Sequence, residues 1–246
     1  MEKIGKYQFM AEPFHCDFNA QLIMGHLGNH LLNAADFHSN DRGFGMIYLK
    51  TINKAWVLSR LAVEMERLPK AYDKFWVETW VENAMRFFTN RNFAITSPDG
   101  QVYGYGRSVW AMIDTETRQP HNLLEINNGS ISDYIVKDKP CPIDKSSRVQ
   151  MTAGAELVRT IDTYYNDVDM NGHINSVKYI EHVLDLWDLD WYRNHQIHRF
   201  EVAYVAESHQ GDRLSLYREQ TGENEYCVRI CKDNDVEVVR SKVIFY

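Results

Sequence analysis

No stretch of this 246-residue chain is long and apolar enough to cross a bilayer as a helix. The first residues, MEKIGKYQFMAEPF, lack both the apolar core of a secretory signal and the Arg/Ser bias of a transit peptide, which leads us to expect a cytoplasmic protein. Cysteine is scarce. Cys16, Cys141, Cys227 and Cys231 show no metal-like spacing, and free thiols in a reducing compartment are the simplest expectation. Positive charge is also short: 27 Lys and Arg against 34 Asp and Glu leave a formal net charge of −7. That balance argues against nucleic acid as the main partner, and an acidic protein partner would need a local basic patch. Low-complexity tracts are absent as well.

What the chain does carry is aromatic weight, 13% of residues with six Trp and fourteen Tyr, which suits half-buried strands and apolar ligand channels alike. Chemistry is concentrated in YYNDVDMNGHINSVKYIEHV, residues 164–183. Asp167, Asp169, Asn171 and His173 fall within seven positions. Gly172 and His173 stand at the entrance to a run in which Ile174, Val177, Ile180, Val183, Leu184 and Trp187 recur at helical spacing. Acid, amide and imidazole are therefore expected at a helix N-terminus, where free N–H groups favour developing negative charge. That set suits attack of water on an acyl group. Asp and Asn before a helix also cap it without any catalytic purpose.

A faint internal repeat helps to weigh the two readings. Gly25-His26-Leu27 recurs 147 positions on as Gly172-His173-Ile174, each opening a helix; the first carries Leu27, Leu31, Ala34 and Phe37 on one side. Strand-like runs follow each helix, at 56–64, 74–82, 87–96 and 102–114, then at 200–206, 213–219, 226–232 and 236–246. The expected turns are Ser97-Pro98-Asp99-Gly100 and Lys232-Asp233-Asn234-Asp235. Residues 119–155, with Pro120, Pro140, Pro142 and Asn127-Asn128-Gly129-Ser130, read as a linker between an N-terminal unit, 1–118, and a C-terminal one, 156–246. A long helix followed by antiparallel strands, twice over, is an α+β fold in which a sheet wraps each helix. At the 147 offset Asp169, Asn171 and His173 align with Leu22, Met24 and His26; at the offset of 139 set by Asp73 and Asp212, Glu207 aligns with Leu68. The polar set is thus expected in the second copy alone.

With these features in hand, the chain resembles the acyl-acyl carrier protein (acyl-ACP) thioesterases, which are built as a double hotdog. The resemblance rests on Trp56-Val57-Leu58-Ser59-Arg60-Leu61, Glu78-Thr79-Trp80 and Arg91-Asn92-Phe93 with Gly100 in the first half. In the second it rests on Asp169-Met170-Asn171-Gly172-His173-Ile174-Asn175, Val177-Lys178-Tyr179-Ile180, Tyr204-Val205-Ala206-Glu207 and Gly211-Asp212. It implies hydrolysis of the thioester between a fatty acyl chain and the phosphopantetheine arm of acyl carrier protein, with no cofactor. The family's Asp, Asn, His and Glu carry over onto Asp169, Asn171, His173 and Glu207, and the first hotdog becomes the non-catalytic copy that holds the acyl chain. Plant members have a Cys after the Glu; here that position is Ser208, so a cysteine nucleophile finds no support. Arg118-Gln119-Pro120 departs from the family's Arg-Arg-Pro, and the absence of a plastid-type leader makes the form look bacterial.

The roles expected are water activation by Glu207 and His173 as a pair, and oxyanion stabilisation by Asn171 with backbone N–H groups of the helix start. Asp169 would fix Asn171 and its turn, with Asp167 the competing acid. Hydrolysis of acyl-CoA, or non-catalytic acyl binding, stand as alternatives, and a homodimer is left open. His26 and His30 have the i, i+4 spacing of metal ligands but show no third ligand in the sequence, so no metal is expected. Met24, Met46, Met65, Trp56, Phe87 and Phe88 are candidates for an acyl channel that ordinary core packing explains equally well. Lys50, Lys54, Arg60, Lys178, Arg193 and Arg199 are candidates for docking an acidic carrier.

Overall fold

The computed structural model describes residues 2–233 and 235–246, so Asn234, in the expected Lys232–Asp235 turn, lies outside the described residues. The chain separates into two compact units, 1–145 and 146–246. The first contains β1 (Gly5–Met10), α1 (Met24–Asp41), α2 (Met46–Lys50), β2 (Lys54–Met65), β3 (Lys74–Ala84), β4 (Phe88–Thr96) and β5 (Val102–Asp114). Its five strands are antiparallel in the order β1-β3-β4-β5-β2. β1, absent from the sequence reading, pairs with β3 through a short alternating segment, Lys6 outward and Tyr7 inward. α1 buries Leu27, Leu31 and Ala34 completely, as their spacing requires; Phe37 is exposed instead, edge-on to Tyr7 at 5.6 Å. The turn at Ser97–Gly100 forms as expected, with Gly100 at φ +88°, where a side chain would be strained.

Residues 119–145, expected as part of a linker, pack into the first unit. Leu123, Ile126, Ile131 and Tyr134 join Phe44, Leu49, Val81 and Met112 in one apolar cluster, and Val136, Cys141 and Ile143 pack with Trp80 and Ala94. The Trp80 indole N–H donates to the Lys139 carbonyl at 2.9 Å, and Lys139 pairs with Glu78 at 2.6 Å. The prolines and the left-handed run Asn127, Asn128 and Gly129 mark turns in a packed segment. Polar punctuation hid the apolar residues spaced between it.

The second unit contains β6 (Glu156–Asp162), α3 (Ser176–Leu184), α4 (Leu189–Asn194), β7 (Ile197–Tyr204), β8 (Arg213–Gly222), β9 (Glu225–Lys232) and β10 (Val236–Phe245). Its order, β6-β8-β9-β10-β7, repeats that of the first unit strand for strand, β6 standing for β1 and β7 for β2. α3 is half the length of α1 and buries Val177, Ile180, Val183 and Leu184. It starts at Ser176, three residues later than the sequence pattern placed it, because the Asn175 side chain accepts from the Val177 N–H and caps it there. Trp187 lies beyond the helix, in an aromatic cluster with Tyr226 and Phe245.

Candidate active site

Asp169, Asn171 and His173 lie in a tight turn ahead of α3. Asp169 is its organiser: its Oδ1 accepts from the N–H groups of Asn171 at 2.8 Å and His173 at 3.3 Å. Its backbone N–H donates to the His173 carbonyl at 2.8 Å, and its carbonyl accepts from Gly172 at 3.0 Å. Gly172, at φ +82°, supplies the left-handed residue that closes the loop. The Asn171 side chain is exposed, with a long 3.5 Å contact from its amide nitrogen to Asp169. The Ile174 N–H donates to the Ser208 carbonyl at 2.9 Å, which ties the turn to the segment following β7. That segment carries Glu207, whose Oε2 lies 3.3 Å from His173 Nε2, with 39% and 24% of the two side chains exposed. Glu207 stands three residues past the end of β7, outside any strand. Its segment is held by the Thr163 hydroxyl, which donates to the His209 and Asp212 carbonyls at 2.9 Å each.

The first unit contains the same turn. Asp17 Oδ1 accepts from the N–H groups of Asn19 at 2.8 Å and Gln21 at 3.0 Å. The Asp17 N–H donates to the Gln21 carbonyl, Ala20 donates back to Asp17, and Ala20 holds the left-handed position at φ +57°. Leu22 donates to Pro69 as Ile174 does to Ser208. Thus Asp17, Asn19, Ala20 and Gln21 correspond to Asp169, Asn171, Gly172 and His173, 152 positions on. The 147 offset aligned the wrong residues. It matched Gly-His to Gly-His, whereas hydrogen bonding matches Asp to Asp, and α1 and α3 begin at equivalent Met24 and Ser176. The 139 offset holds at Glu207, which replaces Leu68. The Asp and Asn are therefore common to both copies, and what the second copy alone possesses is the imidazole and carboxylate pair.

One further correction concerns the donors. The N–H groups of Asn171, Gly172, His173, Ile174 and Val177 are all spent inside the protein, so these do not form an oxyanion site. Ser208 is fully buried, its hydroxyl against the Tyr179 phenol. Asp167 is occupied otherwise: it accepts from the Tyr164 N–H at 2.7 Å and faces His182 at 3.7 Å. Burial holds His182 below the ordinary imidazole range against the pull of Asp167. Sequence reasoning missed Tyr179, Tyr204 and His209. The Tyr204 hydroxyl donates to the Ser176 carbonyl at 2.9 Å, which locks the first residue of α3 to β7; burial pushes its phenol well above the ordinary value. His209 sits edge-on to His173 at 5.0 Å, and its place two residues after Glu207 was the only available signal.

The remaining candidates scatter. Met24 and Met65 are core, whereas Met46 and Phe88 are exposed. Of the cations, Arg199 is buried against Glu201 at 2.7 Å, and Lys54, Lys178 and Arg193 pair with Asp114, Glu181 and Asp190. Lys50 and Arg60 are exposed.

Two units, each with five antiparallel strands and a helix led in by the same Asp-centred turn, define a double-hotdog protein, and the His173–Glu207 pair stands at the turn of the second unit. Comparison with known proteins gives the same class. The N-terminal domain of acyl-ACP thioesterases matches residues 4–127 and the C-terminal domain matches residues 152–244. The crystal structure of an acyl-ACP thioesterase from Bacteroides thetaiotaomicron is 54% identical, with a TM-score of 0.93 over 99% of this chain and 98% of that one. The 12:0-ACP thioesterase from Umbellularia californica shares the fold, with a TM-score of 0.87 at 19% identity over 100% of this chain and 98% of that one. A chloroplastic palmitoyl-acyl carrier protein thioesterase of Gossypium hirsutum is 25% identical over 191 residues, 74% of this chain and 46% of that protein. The matches span between 32% and 64% of the length of such curated plant relatives. The chain belongs to the acyl-ACP thioesterase family.

Proposed function

We propose that this protein hydrolyses the thioester of fatty acyl-acyl carrier protein, releasing free fatty acid and the carrier, and that the chemistry is performed by Glu207, His173 and Asn171. The observation that carries this reading is the 3.3 Å approach of His173 Nε2, on the Asp169-centred turn, to Glu207 Oε2 on the segment docked beside it. A water beside the pair attacks the acyl carbonyl and loses its proton to the carboxylate–imidazole couple. Sharing that proton with an imidazole makes a stronger device than a carboxylate alone at neutral pH. The tetrahedral oxyanion is met by the exposed Asn171 amide, since the adjacent backbone N–H groups are engaged. Collapse expels the phosphopantetheine thiolate, a good leaving group, which recovers the proton from the imidazole. Asp169 positions Asn171 and His173 through their backbones, and we assign Asp167 no part in the reaction.

The first unit, with Gln21 and Leu68 in place of the pair, is the copy we assign to holding the acyl chain. The four cysteines are free thiols outside the catalytic turn, in keeping with hydrolysis by water and with a reducing cytoplasm. The test is release of free thiol from one acyl chain presented on acyl carrier protein and on CoA. Faster turnover of the carrier-bound chain, lost in Glu207→Gln, is expected. Equal or faster turnover of the CoA ester would move the substrate to acyl-CoA, and full activity of Glu207→Gln would remove the pair from the mechanism.

A further inference from the structure

The fold brings together three side chains in the first unit that the proposed hydrolysis does not use. Glu12 precedes the 3-10 turn Pro13–His15, and His30 lies on α1. Glu12 Oε2 stands 3.2 Å from His15 Nδ1 and 3.7 Å from His30 Nε2, and the three potential ligand atoms lie within 4.8 Å of one another. A tetrahedral zinc ion with bonds of ~2.0–2.1 Å holds its ligand atoms about 3.3 Å apart. The spacing therefore nearly fits one ion, with a fourth position left for water. The pairing suggested by the sequence, His26 with His30, is not the one that forms. His26 stacks on His15 at 4.0 Å instead, and His30 turns toward Glu12.

Two observations distinguish this group from a chance surface cluster. His30 is buried, its ring held between Phe9 at 4.6 Å and Phe75 at 5.5 Å, and its Nε2 has no hydrogen-bond partner. A buried imidazole nitrogen aimed at a carboxylate without a hydrogen bond is costly unless something bridges them. In the other unit His182 likewise faces a carboxylate at 3.7 Å with its Nε2 unbonded, but among the described residues no second imidazole stands beside that pair. The equivalent positions are Tyr164, Asp167 and His182, where the Asp167 carboxylate is already committed to the Tyr164 N–H.

We propose that Glu12, His15 and His30 form a site for one divalent transition cation, zinc by the character of its two imidazoles and one carboxylate, that clamps the Pro13–His15 turn to α1. Two nitrogen donors and one oxygen donor favour zinc or a neighbouring first-row ion over magnesium or calcium, which take oxygen ligands. His26 acts as a stacking partner that fixes the His15 ring, and binds no metal itself.

The test uses the full chain stripped by a chelator and titrated with zinc chloride alone by calorimetry, and with cobalt chloride alone by visible absorption. One equivalent of zinc, an intense tetrahedral-type cobalt spectrum and a zinc-dependent rise in melting temperature are expected of the wild type. Glu12→Gln and His15→Ala should each lose all three, and His26→Ala should keep the stoichiometry. His15 is the decisive position, because it is half-exposed and its removal does not open the core as His30→Ala would. Absence of uptake by the wild type would overturn the site, as would uptake undiminished in His15→Ala. Loss of uptake in Cys16→Ser with His15→Ala unaffected would place the ion on the neighbouring thiol and equally overturn it.

Discussion

The second copy can be rewritten with the first copy's own residues. His173→Gln installs what Gln21 already is in an equivalent turn, and Glu207→Leu installs Leu68. Every hydrogen bond that builds the turn comes from the backbone and from Asp169, so neither substitution removes a structural bond that the turn contacts identify. Both side chains are partly exposed, and the change in stability should stay within about 0.5 kcal/mol for each. Turnover should behave differently. Loss of general-base assistance costs ~10²–10⁴ in rate, or about 3–5 kcal/mol of transition-state stabilisation. If the two groups act as one proton-accepting device, the double variant should be no slower than the slower single one, leaving a coupling energy as large as a single loss. The assay is single-turnover release of thiol from acyl-acyl carrier protein, with urea denaturation of each variant in parallel. Losses that simply add in the double variant, or turnover within threefold of wild type in either single one, would refute the pairing.

Three more outcomes follow from particular contacts. His38, wholly buried with its Nε2 against the Lys3 carbonyl, is pushed down to about 2 by burial and by the Arg91 guanidinium. The unfolded chain therefore takes up a proton near pH 6.5 that the folded one refuses; His38 should cost about 2 kcal/mol of stability between pH 7 and 5, a slope His38→Gln should lack in chemical denaturation. Ser208→Ala removes one partner of the buried Tyr179 hydroxyl and keeps the Ser208 backbone one, so it should lose ~0.5–1.5 kcal/mol in stability and keep kcat within a few-fold; a trapped acyl-serine ester in the wild type would contradict this. Asp17→Ala and Asp169→Ala each remove the acceptor for two N–H groups and should destabilise by a similar ~1–3 kcal/mol, yet only Asp169→Ala should abolish hydrolysis, through displacement of Asn171 and His173.

The sequence was most legible where periodicity and burial agree. The eight expected strands exist because alternating Val, Trp, Phe and Ile fill one face of a wrapped sheet, and α1 follows from Leu27, Leu31 and Ala34. β1 and β6 escaped notice because each is a short edge strand, and β6 is mostly exposed, with no apolar rhythm to read. Residues 119–145 were misread because prolines and asparagines disguised Leu123, Ile126 and Ile131. At the site, the residue types were legible and their alignment was not. Identical letters drew Gly172-His173 onto Gly25-His26, while the physical equivalence lies in the carboxylate that gathers backbone N–H groups. The pairing of Glu207 with His173 was expected from the family resemblance and not from spacing or periodicity, since it depends on the Ile174–Ser208 hydrogen bond between segments far apart in sequence.

That hydrogen bond also explains why a site of this kind arises so readily on the fold. Each unit must pass its chain from the strand before the helix into the helix itself, and it does so with an Asp-centred turn docked on the segment after the second strand. In the second unit the docking brings His173 beside Glu207; the equivalent positions in the first unit are Gln21 and Leu68. Rigid placement, which usually demands many supporting contacts, is here already a requirement of folding. Two substitutions then suffice to turn a structural junction into an acid–base pair. The same reasoning says that Gln21→His with Leu68→Glu should bring a second such pair together in the first unit, without disturbing either turn.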